Sequence, residues 1–398
     1  MDKKNIIALF LIIFIFSCVS MKDYYKTKGP VSIEKEKIIE EKQQSNSNMQ
    51  INDIIFKILL TKNKKQIIIK SDKEIKIKDS NNIQPQKEIK IYIQNNNLII
   101  NGFSLAAKEI ELSSEDLFEF EGKKYRGNII VSLINNEIYV INKVKLDYYL
   151  YGVLPSEVIT SWHKEVLKAQ AVAARTFAIY NKLNSKSSYY DLDSNILSQV
   201  YKGANVENKR TNEAIDETKD EIITYNGEVI QAFFYSNSGG KTASSEEVWG
   251  GKIEYLKSKD DEYSKKEKNY EWTAKLPANK LYEIFEKNKI TIGEIYDIKI
   301  IERSESGRIK TMKIYGSSGS IILKGKDFRS YLGENLVRST MFSITKQNEI
   351  FIFNGYGWGH GVGLSQEGAK NMAENGWDYK KIIKYYYSGV DIVKAKLK

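Results

Sequence analysis

Residues Leu154 to Tyr180 read Leu-Pro-Ser-Glu-Val-Ile-Thr-Ser-Trp-His-Lys-Glu-Val-Leu-Lys-Ala-Gln-Ala-Val-Ala-Ala-Arg-Thr-Phe-Ala-Ile-Tyr, and how this stretch folds decides how the rest of the chain is arranged. A turn fixed by Pro155 carries Glu157, and a helix follows with Thr160 or Ser161 as its N-cap. Val166, Leu167, Ala169, Ala171 to Ala174, Phe177 and Ala178 cover so much of its circumference that the helix is predicted to lie inside the protein. Gln170 and Arg175 fall in its most apolar part. A guanidinium buried without a partner is costly, so an acidic or polar group must meet Arg175 there, and Glu157 is a candidate. His163, in the first turn, where a cation opposes the helix dipole, reads as a neutral structural residue.

Upstream, between Ile51 and Val144, short runs rich in isoleucine and valine recur at 54–60, 66–69, 89–93, 98–100, 128–133 and 137–141. Turn material such as Asp79-Ser80-Asn81-Asn82 and Asn95 to Asn97 separates them, which predicts an antiparallel β region. Asn135-Asn136 marks a hairpin that delivers the chain to Leu146. Downstream, an irregular loop over 189–203 ends in Gln199-Val200-Tyr201-Lys202-Gly203, and a helix is expected over about 206–218. Asn226-Gly227 between Glu221–Tyr225 and Glu228–Tyr235 predicts a type I′ hairpin. Strands are expected within 298–322 and 341–352, and helices over 327–332, 366–375 and 380–386. Strand and helix mix without a βαβ rhythm. The predicted class is therefore α+β, an antiparallel β-rich N-terminal module over 51–145 followed by a mixed α/β core over 146–398 around one buried helix.

The chain of 398 residues leaves room for two or three domains, and its formal net charge of +10 suits an anionic neighbour. The lysines are scattered rather than gathered in a block with interleaved aromatics, so nucleic acid is not an expected partner. Lys3 and Lys4 precede an apolar run from Ile6 to Phe16 that is too short to span a bilayer comfortably, and Ser17-Cys18 follows. Residues 1–20 thus have the layout of a secretory signal, which predicts an exported chain. Ile15-Phe16-Ser17-Cys18 resembles the lipobox of bacterial lipoproteins, which implies a lipid on Cys18 and a membrane anchor in the cell envelope. A simple signal peptide or uncleaved anchor is the alternative. Cys18 is the only cysteine, so no disulfide can form within the chain. Residues 21–50, with Glu34-Lys35-Glu36-Lys37 and a run of Gln, Ser and Asn, read as a polar tether.

From Gly355 to Gly363, glycine occupies every second place. If extended, one face is bare backbone and the other presents Tyr356, Trp358, His360 and Val362. Such a row can wall a sugar-binding cleft, or the glycines can serve packing with the aromatics in the core. Other motifs fail on position. Gly240-Lys241-Thr242 lacks the first glycine of a phosphate loop, Tyr235 standing there, and Gly363-Leu364-Ser365 lacks the closing glycine of a nucleophile elbow. Ser365 reads as a helix N-cap. His163 and His360 have no second histidine at ligand spacing, so no metal or other cofactor is expected.

Pro155-Ser156-Glu157, Lys168-Ala-Gln-Ala-Val-Ala-Ala-Arg-Thr176, Gln199-Val200-Tyr201 and Gly359-His-Gly-Val-Gly-Leu-Ser-Gln-Glu-Gly-Ala369 together resemble the signatures of the SpoIID/LytB family (stage II sporulation protein D), over most of 125–392. The resemblance implies a peptidoglycan lytic transglycosylase. Such an enzyme needs one carboxylic acid, because the muramic acid C6 hydroxyl serves as internal nucleophile and the same carboxylate later takes its proton. Glu157 matches the catalytic place. Without the resemblance, Glu157 reads sooner as an acid at a helix start, stabilised by the dipole. Gln170, Arg175, Tyr201, Ser236, Ser238, Gly239, Gly240, Tyr356, Trp358, His360 and Gln366 match positions expected to contact substrate. For Gln170 and Ser238 a structural hydrogen bond is an equal reading, and Arg175 could grip a substrate carboxylate or a neighbouring polar group. Relatives prefer glycan strands stripped of stem peptides, which implies a partner amidase. LytB-type relatives imply an alternative, a non-catalytic glycan-binding amidase activator. Several family members carry two cysteines before Gln-Val-Tyr, associated with zinc, where this chain has Asp193 and Ser198.

Overall fold

The computed structural model describes residues 38–40, 49–50, 54–78, 83–194 and 199–397. The export signal with Cys18, most of the polar tether, the turn Asp79-Ser80-Asn81-Asn82 and Ser198 lie outside the described residues. The chain forms two compact units: an N-terminal unit running up to Gln231 and including the residues from Ile392, and a C-terminal unit, Ala232–Asp391. The β-rich stretch and the central helix share the N-terminal unit, so the position expected for a boundary, residue 145, falls inside it.

In the N-terminal unit, a large sheet runs in the order Leu192–Asp193, Ile55–Lys64, Glu137–Lys145, Asn128–Ile134, Glu109–Ser113, Gln66–Ile77, Gln86–Gln94, Asn97–Ile100 and Phe103–Leu105. Its pairs are antiparallel except the first, which is parallel. Alternation decides which face is buried: along Gln66–Ile77, Ile67, Ile69, Ile75 and Ile77 turn inward between exposed polar neighbours. Asn135 (φ 50°) and Asn136 (φ 59°) form the tight turn their type predicts, and Asn226 (φ 51°) with Gly227 (φ 79°) forms the other. The second hairpin is short, because its return arm is only Glu228–Val229.

Three helices follow the sheet: α1 (Leu146–Glu157), α2 (Lys164–Leu183) and α3 (Lys209–Glu217). Helix α2 is buried without a break from Ala169 to Thr176, as its composition predicts. Two expectations are corrected here. Glu157 does not sit on a turn before a helix but ends α1, which the sequence hid behind Gly152 and Pro155. Pro155 lies in the last turn, where its missing N–H forfeits a single bond. Gly152 is fixed by packing, since a Cβ there would stand 2.6 Å from the Tyr201 ring and 2.9 Å from the Gly203 carbonyl oxygen. The N-cap of α2 is His163, not Thr160 or Ser161: its Nδ1 accepts the Glu165 N–H at 3.3 Å.

The C-terminal unit holds α4 (Ser245–Trp249), α5 (Ala278–Lys287), α6 (Gly325–Leu332), α7 (Gln366–Glu374) and α8 (Tyr379–Tyr386). Two three-stranded antiparallel sheets accompany them, one of Glu271–Pro277, Ile350–Tyr356 and Phe342–Gln347, the other of Ile295–Arg303, Ile309–Gly316 and Gly319–Lys324. Phe285, Phe328, Phe342, Phe351 and Phe353 centre its core. Phe234–Tyr235, expected to complete the Asn-Gly hairpin, instead pairs in parallel with Leu364–Ser365. The class is α+β, as the sequence predicts.

Candidate functional site

Glu157 is 7% exposed, and its Oε1 accepts the Val200 N–H at 3.1 Å. Burial pushes its pKa from 4.5 to about 7, against the Val200 hydrogen bond and the nearby charge of Lys202. At the C-terminal end of α1 a carboxylate also meets the negative pole of the helix, which favours the protonated form. This is the reverse of the dipole-stabilised acid that the sequence left open. The segment opposite is pinned so that it presents that N–H. Tyr149 Oη donates to Gln199 Oε1 at 3.2 Å, Gln199 Nε2 donates to the Ala174 carbonyl at 3.3 Å, and Tyr201 Oη donates to Asn142 Oδ1 at 2.8 Å. Gln199 and Tyr201 thus anchor the triplet from both sides of Val200. Tyr201 is 2% exposed and packs on Tyr149 and Tyr125, so its side chain supports the site from behind.

Arg175 is fully buried. Its Nη1 donates to Thr218 Oγ1 (3.3 Å) and the Glu221 carbonyl (3.2 Å), and its Nη2 to the Ile215 carbonyl (2.9 Å). Burial lowers its pKa, and the charge it feels most strongly in opposition is that of Asp147. Asp147 on α1, rather than Glu157, therefore answers the expected need for an acid, and its own pKa is raised by burial to about 6. Of the two roles expected of Arg175, its donors serve the neighbouring polar groups at the end of α3.

Gln170 is 1% exposed, and neither Oε1 nor Nε2 has a hydrogen-bond partner. An unpaired buried amide costs about 1–3 kcal/mol, so the fold alone gives no reason for it. Gln170→Met is expected to leave the thermal midpoint unchanged or raised, measured by melting. Lost stability would instead assign the amide to the fold.

In the C-terminal unit the serine-glycine loop satisfies itself. Ser238 Oγ and Ser264 Oγ lie 2.7 Å apart, the Gly240 N–H donates to both (3.2 and 3.0 Å), and the Gly239 N–H donates to Asn237 Oδ1 (2.8 Å). The hydroxyl of Ser238 is thereby structural. The Ser236 carbonyl accepts the Glu367 N–H at 3.0 Å, and Gln366 is 4% exposed. Ser365 caps α7, as predicted, accepting the Gly368 N–H at 3.3 Å.

The extended row expected from Gly355 to Gly363 ends at Tyr356. Gly357, Gly359, Gly361 and Gly363 have φ of 76°, 113°, 90° and 83°, so the chain winds rather than alternating faces. The missing side chains admit the same chain's own segment. Trp358 and Asn237 exchange backbone hydrogen bonds (2.8 and 3.0 Å), Gly361 O accepts the Ala243 N–H at 2.7 Å, and a Cβ on Gly359 would stand 2.7 Å from Tyr235 Cβ. The aromatics scatter accordingly. Tyr356 is exposed, Trp358 is buried beneath Arg338, and Val362 is buried. His360 stays partly exposed, packed on Tyr235 and Trp249, and its Nδ1 accepts the Val362 N–H at 3.1 Å. Burial, with Arg329 and Arg308 nearby, drops its pKa to about 3, so the imidazole is neutral.

Glu157, Gln170, Arg175 and Tyr201 therefore gather in the N-terminal unit, and Ser236, Ser238, Gly239, Gly240, Tyr356, Trp358, His360 and Gln366 in the C-terminal one. The sequence missed two buried acids in the latter. Glu367, raised by burial to about 7, accepts from Asn237 Nδ2 (2.7 Å) and Asn269 Nδ2 (2.6 Å). Asp261, raised to about 6, accepts from Tyr386 Oη (3.1 Å). Nothing in their spacing marks them. Of the two positions where relatives carry cysteines, Asp193 lies in the short strand Leu192–Asp193 and Ser198 lies outside the described residues.

Fold and site thus define an α+β protein that holds a buried carboxyl of raised pKa at the end of one helix, followed by a second helix buried from Ala169 to Thr176. Residues 134–225 match the family described as stage II sporulation protein, SpoIID, and residues 243–363 match a domain of unknown function, DUF8618. An uncharacterized protein of Brachyspira hyodysenteriae is 36% identical over 297 residues, 74% of this chain and 79% of that one. Stage II sporulation protein D of Bacillus subtilis is 33% identical over 271 residues, 64% of this chain and 76% of that one. The amidase enhancer of Bacillus subtilis is 31% identical over 341 residues, but the match spans only 47% of its length. The chain belongs to the SpoIID family.

Proposed function

We propose that this protein acts on the bacterial cell wall as a lytic transglycosylase, cutting the bond between N-acetylmuramic acid and N-acetylglucosamine. The observation that carries the reading is Glu157, a buried carboxyl with a pKa of about 7. Protonated Glu157 gives its proton to the glycosidic oxygen as the bond to the muramic acid C1 breaks. The C6 hydroxyl of the same sugar then bonds to C1, and its proton passes to the Glu157 carboxylate, which regenerates the acid and leaves a 1,6-anhydro end. The substrate is a peptide-free strand, and a cell-wall amidase that removes stem peptides is the partner. Export and a lipid on Cys18 would place the chain on the envelope membrane. Among the described residues no helix is long and apolar enough to cross a membrane. The test is mass analysis of denuded glycan strands incubated with the protein lacking residues 1–20 for anhydro ends.

A second reading, a non-catalytic amidase activator, is favoured by the similarity to the amidase enhancer. The two differ in pH response. If Glu157 is the acid, cleavage falls about tenfold per unit above pH 7, as the proton is lost. Stability follows the same group. The folded pKa of about 7 lies above the ordinary 4.5, so its contribution is complete below pH 4.5 and is lost as pH rises through 7. An activator would keep its stimulation of an amidase flat across this window once the amidase's own profile is divided out.

A further inference from the structure

A cleft of about 360 Å³ in the C-terminal unit is lined by residues of α4, of Ile295–Arg303 and Ile309–Gly316, of α6 and of the glycine ribbon. All of them fall inside residues 243–363, the stretch that matches a domain of unknown function. Two guanidiniums lie in its wall, Arg308 at 3% exposure and Arg329 at 8%. Most of their donors are taken. Arg308 Nη1 and Nη2 donate to the Lys241 and Ser238 carbonyls (2.9 and 2.8 Å), and Arg329 Nε and Nη1 to the Val337 carbonyl (3.0 Å) and Glu334 Oε1 (3.1 Å). What remains is Arg308 Nε and Arg329 Nη2, each buried and without an acceptor. Native proteins rarely bury charged donors unpaired unless something else accepts from them. Gly361 lets the backbone pack close against the Arg308 guanidinium, because a Cβ there would stand 2.5 Å from Cζ and 2.6 Å from Nε.

The rest of the lining sets the charge and shape of the occupant. Glu302 is paired with Lys310 at 2.9 Å, and Glu247 accepts from Ser306 Oγ at 2.5 Å. Lys324 and Lys326 at the rim have no ion-pair partner among the described residues. Two single donors on two guanidiniums match the two oxygens of a carboxylate better than the three or four of a phosphate. Beside them stand Trp249, half-buried and held by Phe233 and His360, and His360 itself, flat surfaces of the kind on which sugar rings pack.

We propose that this cleft is a second binding site, for a carboxylate carried on a sugar ring, with Arg308 and Arg329 taking the carboxylate and Trp249 the ring. Binding there does not require that the chain cleave glycan. Isothermal titration of the protein lacking residues 1–20 with N-acetylmuramic acid, glucuronic acid, N-acetylglucosamine and inorganic phosphate tests it, since none of these probes contains a glycosidic bond. Both carboxylated sugars are expected to bind saturably and at least tenfold more tightly than N-acetylglucosamine. Tighter binding of N-acetylmuramic acid than of glucuronic acid identifies the wall's own sugar as the occupant, and equal binding identifies any carboxylated hexose. The exposed double variant Lys324→Glu/Lys326→Glu is expected to weaken both at least fivefold with an unchanged melting temperature, and Trp249→Ala to weaken them too. Equal affinity for neutral and carboxylated sugars, tighter binding of phosphate, absence of binding, or an unaltered affinity in the rim variant overturns the proposal.

Discussion

Glu157→Gln is expected to lower the formation of 1,6-anhydro ends by about 10²–10⁴-fold, the range supplied by a positioned general acid. Gln keeps the shape and an oxygen that can still accept from Val200, so the N-terminal unit should stay folded. It also removes the group whose ionisation opposes folding above pH 7. At pH 8 the variant is therefore expected to be the more stable protein, by on the order of 3 kcal/mol for a shift from 4.5 to about 7. Loss of product together with a raised melting temperature is a pair that a merely damaged fold cannot give. If wild type makes no anhydro ends yet speeds an amidase, the activator reading replaces the enzymatic one.

Arg175→Met is expected to destabilise the protein by about 3–5 kcal/mol, the cost of removing one member of a buried charged network. The change strips donors from the Ile215 and Glu221 carbonyls and from Thr218, and takes from the half-buried Asp147 the opposite charge it feels most strongly. Urea unfolding reads the loss directly. Adding Asp147→Asn to the same chain should return part of it, because the uncompensated acid is then gone. A residue whose business was the substrate would instead raise KM and leave the unfolding curve in place.

What was legible in the sequence was what local chemistry decides. The unbroken burial of α2 from Ala169 to Thr176 follows from composition, and the left-handed turns at Asn135-Asn136 and Asn226-Gly227 follow from residues that tolerate positive φ. What was hidden depends on distant parts of the chain. Helix α1 contains Gly152 because of Tyr201, and its Pro155 reads as a breaker until the helix is seen to end two residues later. The opposite charge that Arg175 feels most strongly is Asp147, on a helix the sequence did not reveal. Glu157 itself was named from the order of residues around it, whereas its raised pKa comes from enclosure that no spacing records. Alternating glycines also misled, since a two-residue period signals a strand only when φ stays negative.

The winding ribbon from Gly357 to Gly363 also limits what the chain can accept in its place. Its glycines are held by geometry and by neighbouring backbone, including the Phe233 carbonyl against Gly363 and the Gly239 nitrogen 2.6 Å from where a Cβ on Gly357 would stand. At those two places any side chain would have to displace main chain, so a substitution there would move the ribbon and with it His360 in the cleft wall.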